Sequence, residues 1–325
     1  MRLFANANYD FLGHRRIAFL VSAAFVVPGL LLLLIRGVNY SVEFTGGTLI
    51  QVEAVSAVDV GAVRQALASR GITGAEIQTF GSERELAIRA RTAIAGTDAD
   101  DTQLVSAAVQ EALDGVLGPG NYTVLRTEAV GPKVGGELRQ KALMAVLLSF
   151  VAVLAYLAYR FEWRFGVAAV IATAHDIIAS LAFIGITRLE VSLFVVAGLL
   201  TIVGYSLNDT IVIFDRIREN LHRRKRDQFG DIINRSVNET LPRTFFTGTT
   251  ALGSLLALSV LGGDVVRPFA LLMLFGVVVG TFSSIYIASP VLLAIERRWP
   301  GATARGHLSP KTPGPGPGSR KPQPV

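Results

Sequence analysis

Six stretches of the chain read almost continuously apolar, at about Ile17–Ile35, Ala142–Tyr159, Phe165–Ile186, Val191–Phe214, Phe245–Leu261 and Phe269–Ile295. Crossing about 30 Å of hydrocarbon at 1.5 Å per residue takes roughly 20 apolar residues, and a helix satisfies its own backbone there. The pattern therefore predicts six transmembrane helices. The first has no small-x-small cleavage site after it and reads as an uncleaved anchor. Between the first two spans the pattern changes. Residues 41–54 alternate and then run apolar as a strand, and 58–69 show helical spacing at Val60, Val63 and Leu67. Strands follow at 76–80 and 85–89 around a turn at Gly81-Ser82. A second helix starts near Asp100-Asp101 and ends at Gly118-Pro119, and a last strand covers 122–130. This β-α-β-β-α-β order closes as an antiparallel sheet with both helices on one face, a ferredoxin-like α+β domain.

Composition agrees with the bilayer as solvent: 51% hydrophobic, 17% charged, mean hydropathy +0.47. Neither a soluble enzyme nor a disordered chain presents that much apolar surface to water. The absence of Cys removes thiolate metal sites and thiol catalysis. Charge then orients the chain. Residues 215–243 carry eight basic residues, whereas the short loops on the opposite side hold one each, Arg188 and Arg267. By the positive-inside rule both termini are cytoplasmic and the α+β domain is extracytoplasmic. The resulting divisions are a cytoplasmic N-terminus 1–16, a first span 17–36, the outer domain 37–139, and spans two to six over 140–298 with a basic cytoplasmic loop at about 215–243. A Pro/Gly-rich tail, 299–325, has a composition that cannot bury a core. The basic excess lies along the cytoplasmic edge, so it points to topology and contact with membrane lipids rather than to nucleic acid.

Charged side chains inside a span each need a partner, a wet cavity or a role. His175 and Asp176 lie at the middle of the third span, and Asn208 and Asp209 lie in the fourth, about 5 residues to the cytoplasmic side of its middle. Tyr205 and Ser206 precede Asp209 by four and three residues and share its helix face. In the fifth span Arg243, Thr247, Thr250 and Ser254 form a hydroxyl stripe headed by a cation. Facing each other, these two stripes would make a proton relay, because movement of a guanidinium changes the proton affinity of a nearby carboxylate. A static ion pair is the structural alternative for Asp209 with Arg243, and a hydrogen bond to a neighbouring helix is the alternative for His175-Asp176. Gly276, Gly280, Ser283 and Ser284 in the last span read as helix packing. There is no HExxH motif or other dense His cluster for a metal, no phosphate-binding loop, and nothing that calls for a cofactor. An aspartyl dyad of Asp176 and Asp209 would require the two carboxylates to share a proton.

Several motifs are specific as a set: Val42-Glu43-Phe44-Thr45-Gly46-Gly47, Val130-Gly131-Pro132-Lys133-Val134-Gly135-Gly136-Glu137-Leu138, Ala174-His175-Asp176, the run Val203 to Asn220 containing Asn208-Asp209, and Asn238-Glu239-Thr240-Leu241-Pro242-Arg243-Thr244. With the six-span layout, residues 35–295 resemble the bacterial SecD/SecF protein-export membrane proteins, relatives of proton-driven RND transporters. The resemblance implies a non-enzymatic accessory subunit of the secretory translocon in the bacterial cytoplasmic membrane. Its implied partners are SecD, the SecYEG channel, YajC and the translocating preprotein. It also implies use of proton motive force after the ATP-driven step, with Asp209 as proton carrier and Arg243 as its cationic partner. Phe44, Thr45, Gly46 and Gly47, with Gly131, Pro132, Gly135 and Gly136, fit a joint between bundle and outer domain, where glycines permit close approach. An RND-like exporter of small molecules or lipids, and a non-transporting scaffold, are the alternatives.

Overall fold

A computed structural model of the chain describes residues 7–72, 74–80, 82–90, 102–224 and 227–301. The expected turn residue Gly81, the helix start at Asp100-Asp101 and the tail beyond 301 lie outside the described residues. In chain order the elements are α1 (Arg15–Arg36), α2 (Val42–Thr45), β1 (Gly47–Ala54), α3 (Val60–Ser69), β2 (Glu76–Phe80), β3 (Ser82–Ala90), α4 (Thr102–Leu117), β4 (Tyr122–Val130), α5 (Pro132–Arg160), α6 (Trp163–Thr187), α7 (Leu193–Arg223), α8 (Phe229–Leu261), α9 (Gly263–Ser283), a π-helical turn (Ser284–Ala288) and α10 (Ser289–Arg298). Among the described residues six helical segments are long and apolar enough to cross a membrane: α1, α5, α6, α7, α8 and the continuous run from α9 through the π-turn to α10.

The spans pack by close approach of small residues, since lipid offers no hydrophobic drive between helices. A methyl group on Gly29 of α1 would lie 2.6 Å from the Ala182 Cβ of α6, and one on Gly280 of α9 would lie 3.0 Å from the Ser206 Cβ of α7. On the side away from the α/β unit, Phe161, Phe165 and Phe214 pack edge-on and stacked with Ile217, Phe229 and Leu292 around them. The segment expected as a basic loop is mostly helix. α7 and α8 run past the apolar stretches because Asn220 Nδ2 donates to Ser236 Oγ (3.0 Å) and to Glu239 Oε2 (2.8 Å), and Arg216 Nε donates to Glu239 Oε2 (2.7 Å), joining the two extensions.

Between α1 and α5 the sheet has strand order β2-β3-β1-β4, antiparallel throughout. Ile50 pairs with Ile88 and Val52 with Leu86, and these four face Val63 and Leu67 of α3 and Val109 and Leu113 of α4. All eight side chains are fully buried, each contributing about 1.5–3 kcal/mol through apolar burial. One expectation is corrected: the strand begins at Gly47, not at 41. Residues 42–45 form a single helical turn, in which Thr45 N and Gly46 N bond back to the carbonyls of Ser41 and Val42. The reversal out of that turn uses φ of +71° at Gly46 and +119° at Gly47, a region that favours glycine.

This turn ties the α/β unit to the bundle. Ser41 N donates to Val191 O (3.0 Å) and Val191 N to Asn39 O (2.7 Å), a bridge onto the α6–α7 connection. The Glu43 carboxylate accepts from Leu193 N at 2.7 Å, capping the first residue of α7. Arg89 of β3 reaches Glu190 at 2.7 Å. A methyl group on Gly135 of α5 would lie 2.9 Å from Gly46 N, so the start of the second span sits directly against the turn.

Candidate intramembrane polar site

The most enclosed carboxylate among the described residues is that of Asp176, 0% exposed. The 3.6-residue period of α6 aims it inward among α7 and the last span, where Ser206 Oγ and Ser283 Oγ (2.7 Å) both donate to its Oδ2. Its Oδ1 lies 3.0 Å from His175 Nδ1, and His175 Nε2 lies 2.6 Å from Ser22 Oγ of α1. With the proton on Nδ1, the imidazole donates to Asp176 and accepts from Ser22. Four spans thus meet on one hydrogen-bonded chain.

Asp209 lies one turn further along α7, at 4% exposure. Its single hydrogen bond among the described residues is a long one, from Thr281 Oγ1 at 3.4 Å. No cation lies within ion-pair distance among the described residues, although Arg243 acts on the carboxylate electrostatically from further away. Next to it Thr210 and Ser284 share a hydrogen bond of 2.8 Å. Asp176 and Asp209 are therefore neighbours in one polar layer with different surroundings, one fully bonded and one nearly unpartnered. No hydrogen bond joins them among the described residues, so the geometry of a shared-proton dyad is not formed.

The sequence-predicted residues divide accordingly. His175, Asp176, Ser206 and Asp209 come together in this layer. Tyr205 is half-buried with its hydroxyl buried and unbonded, and Asn208 faces outward. Arg243, Thr247 and Thr250 of the α8 stripe are exposed, and none of them bonds Asp209 among the described residues. The two threonine hydroxyls donate to their own helix, to Arg243 O (2.8 Å) and Phe246 O (3.0 Å). Thr281, Ser283 and Ser284 were not singled out as polar partners in the sequence, yet each bonds a group of this layer. Three hydroxyls within four residues of an otherwise apolar span were the available signal. The π-turn starts at Ser284 and is stitched by Ser289 Oγ donating to Ser284 O (3.1 Å); such bulges concentrate at functional positions in helices.

Six spans, an α/β unit inserted after the first and carboxylates in the polar centre define a multi-pass membrane protein. Residues 109–298 match the family described as "Protein export membrane protein SecD/SecF, C-terminal", and residues 31–58 match the "SecD/SecF GG Motif". The chain is 52% identical to the protein translocase subunit SecF of Gemmatimonas aurantiaca, over 94% of this chain and 93% of that one. It is 43% identical to the protein translocase subunit SecF of Magnetococcus marinus, over 91% and 95%. The chain belongs to the SecF family of protein translocase subunits. The crystal structure of SecDF, a translocon-associated membrane protein from Thermus thermophilus, superposes with a TM-score of 0.78 at 38% identity, covering 90% of this chain and 39% of that one. A second SecDF structure, in a super-membrane-facing form, gives 0.64 at 37% identity, covering 92% and 40%.

Proposed function

We propose that this chain is the SecF half of a SecD–SecF pair that associates with the SecYEG channel and YajC and uses proton motive force to promote preprotein translocation after the ATP-driven step. The pairing is supported by the SecDF structures, of which this chain spans about two-fifths, leaving the remainder for a SecD-like half. The exposed Arg243 face of α8 is then available to that half. The protein sits in the bacterial cytoplasmic membrane with both termini cytoplasmic, a placement supported by the arginines gathered at the end of the bundle away from the α/β unit. It acts as a transport subunit rather than as an enzyme. Asp209 is the proton carrier and Arg243 its transient cationic partner, with His175-Asp176 as a fixed polar neighbour.

The observation that carries the relay is Asp209 itself: a carboxylate 4% exposed in a membrane helix with, among the described residues, one 3.4 Å hydrogen bond and no ion pair. A structural carboxylate is held as Asp176 is, by several donors; one left nearly unpartnered is free to exchange a proton and a partner. One proton moving inward across 100 mV supplies about 2.3 kcal/mol, and each pH unit adds about 1.4 kcal/mol. Such energies bias a two-state repacking by factors of tens. Because Glu43 caps α7, the helix that carries Asp209, a shift of α7 reaches the Gly46-Gly47 turn and the outer domain directly. The test is preprotein completion in vesicles bearing this chain and its SecD partner, with ATP exhausted after initiation. Acceleration by a proton gradient is expected; equal completion with the gradient applied or collapsed would reduce the protein to a scaffold.

A further inference from the structure

At the end of the bundle away from the α/β unit, two cavities lie side by side and share Arg15, Leu293 and Arg297. One, of about 420 Å³, is polar and adds Arg16, Asn234 and Asp231 to its wall. The other, of about 330 Å³, is a mainly apolar groove between α1 and α10, walled by Phe19, Pro290, Val291 and Ala294. Helical spacing explains the division. Phe19 lies four residues into α1 from Arg15, and Pro290 and Ala294 precede Arg297 on one side of α10. The guanidinia therefore stand at the mouth, and the groove runs about 10 Å from there toward the middle of the span.

The charge at the mouth is unbalanced. Three guanidinia, of Arg15, Arg16 and Arg297, face two carboxylates, Asp231 in the polar cavity's wall and the nearby Asp10, whose Oδ1 accepts from Gly13 N (2.9 Å) and Asn234 Nδ2 (2.7 Å) and whose charge acts on Arg15. Among the described residues none of Arg15, Arg16 and Arg297 has an ion-pair partner, whereas Arg216, Arg218, Arg223, Arg224 and Arg235 at the same end each do. Unpaired guanidinia above an apolar groove, at the depth where headgroups lie, complement a ligand with a phosphate at one end and a hydrocarbon chain at the other.

We infer that this paired cavity is a binding site for an anionic glycerophospholipid of the leaflet on the N-terminal side, its phosphate held by Arg15, Arg16 and Arg297 and one acyl chain laid in the groove between α1 and α10. The site rests on the membrane-spanning placement of α1 and α10 and requires nothing of the proton relay. A lipid there joins the first and last spans, which supply Ser22 and Ser283 to the polar layer.

Native mass spectrometry of the full chain released from detergent, titrated with phosphatidylglycerol, tests this without any transport readout. Wild type should retain phosphatidylglycerol in preference to phosphatidylcholine. Arg15→Gln/Arg16→Gln/Arg297→Gln should weaken it by about a hundredfold, while Arg223→Gln/Arg224→Gln/Arg235→Gln, with the same charge removed nearby, should change it by no more than about twofold. Ala294→Trp keeps every guanidinium and fills the groove, and should weaken the lipid about tenfold or more. Unchanged affinity in the first variant, equal loss in the second, no effect of Ala294→Trp, or full displacement of the lipid by millimolar inorganic phosphate would each overturn the site.

Discussion

Adjacent glycines at the start of α5 provide a matched pair for testing the contact between the bundle and the α/β unit. A Cβ at Gly135 would lie 2.9 Å from Gly46 N and 3.3 Å from Glu43 O, whereas one at Gly136 meets nothing within 4 Å. Both alanine substitutions gain the same helix propensity, up to about 1 kcal/mol. Their difference therefore isolates the steric effect. The neighbour at Gly135 is backbone, so relief requires the α5 start and the α2 turn to separate by about 0.5 Å to reach ordinary contact, at a cost of about 1–3 kcal/mol. Hydrogen exchange in the segment 41–48, where Gly46 N donates to Val42 O at 2.9 Å, reads this directly. Gly135→Ala should exchange about 5- to 150-fold faster there than Gly136→Ala. Identical exchange in the two variants would show that the close approach does not hold the joint.

Other outcomes follow from contacts of the same region. Glu43→Gln should loosen the first turn of α7 by about 1 kcal/mol, because the Leu193 N–H loses a charged acceptor; faster exchange confined to that turn is the readout. Arg89→Ala and Glu190→Ala should show a coupling of about 1 kcal/mol in a double-mutant cycle on thermal unfolding, reduced at high salt. In the α/β unit burial, reinforced by Asp114, pushes the Tyr122 hydroxyl up to about 12 from its ordinary 10. It keeps its proton longer when folded, so its contribution is complete below pH 10 and is lost between pH 10 and 12. Tyr122→Phe should flatten the stability profile of the domain in that window, and an unchanged slope would contradict the assignment.

The strongest periodicities were legible from the chain alone. The six apolar runs and the β-α-β-β-α-β order both follow from burial on one face or all round, which local pattern records faithfully. The turn at 42–45 was not, because alternation at Val42 and Phe44 suits a strand equally, and only the positive φ of Gly46 and Gly47 with the bridge to Val191 decides it. The helical extensions of α7 and α8 depend on Asn220 and Arg216 meeting Ser236 and Glu239, contacts between elements that neither segment reveals by itself. Within the site, the cost of charge in lipid singled out Asp176 and Asp209. It could not show which would be bonded, since the donors Ser283 and Thr281 come from the last span, 107 residues from Asp176 and 72 from Asp209 respectively.

The most direct measurement of proton coupling is gradient-dependent preprotein completion in vesicles carrying the SecD partner and either wild type or Asp209→Asn, with ATP exhausted after initiation. The expected result is acceleration by the gradient in wild type and none in the folded, assembled variant. An Asp209→Asn protein that responds to the gradient as wild type does would contradict the relay and leave Asp209 and Arg243 as structural groups of an export scaffold.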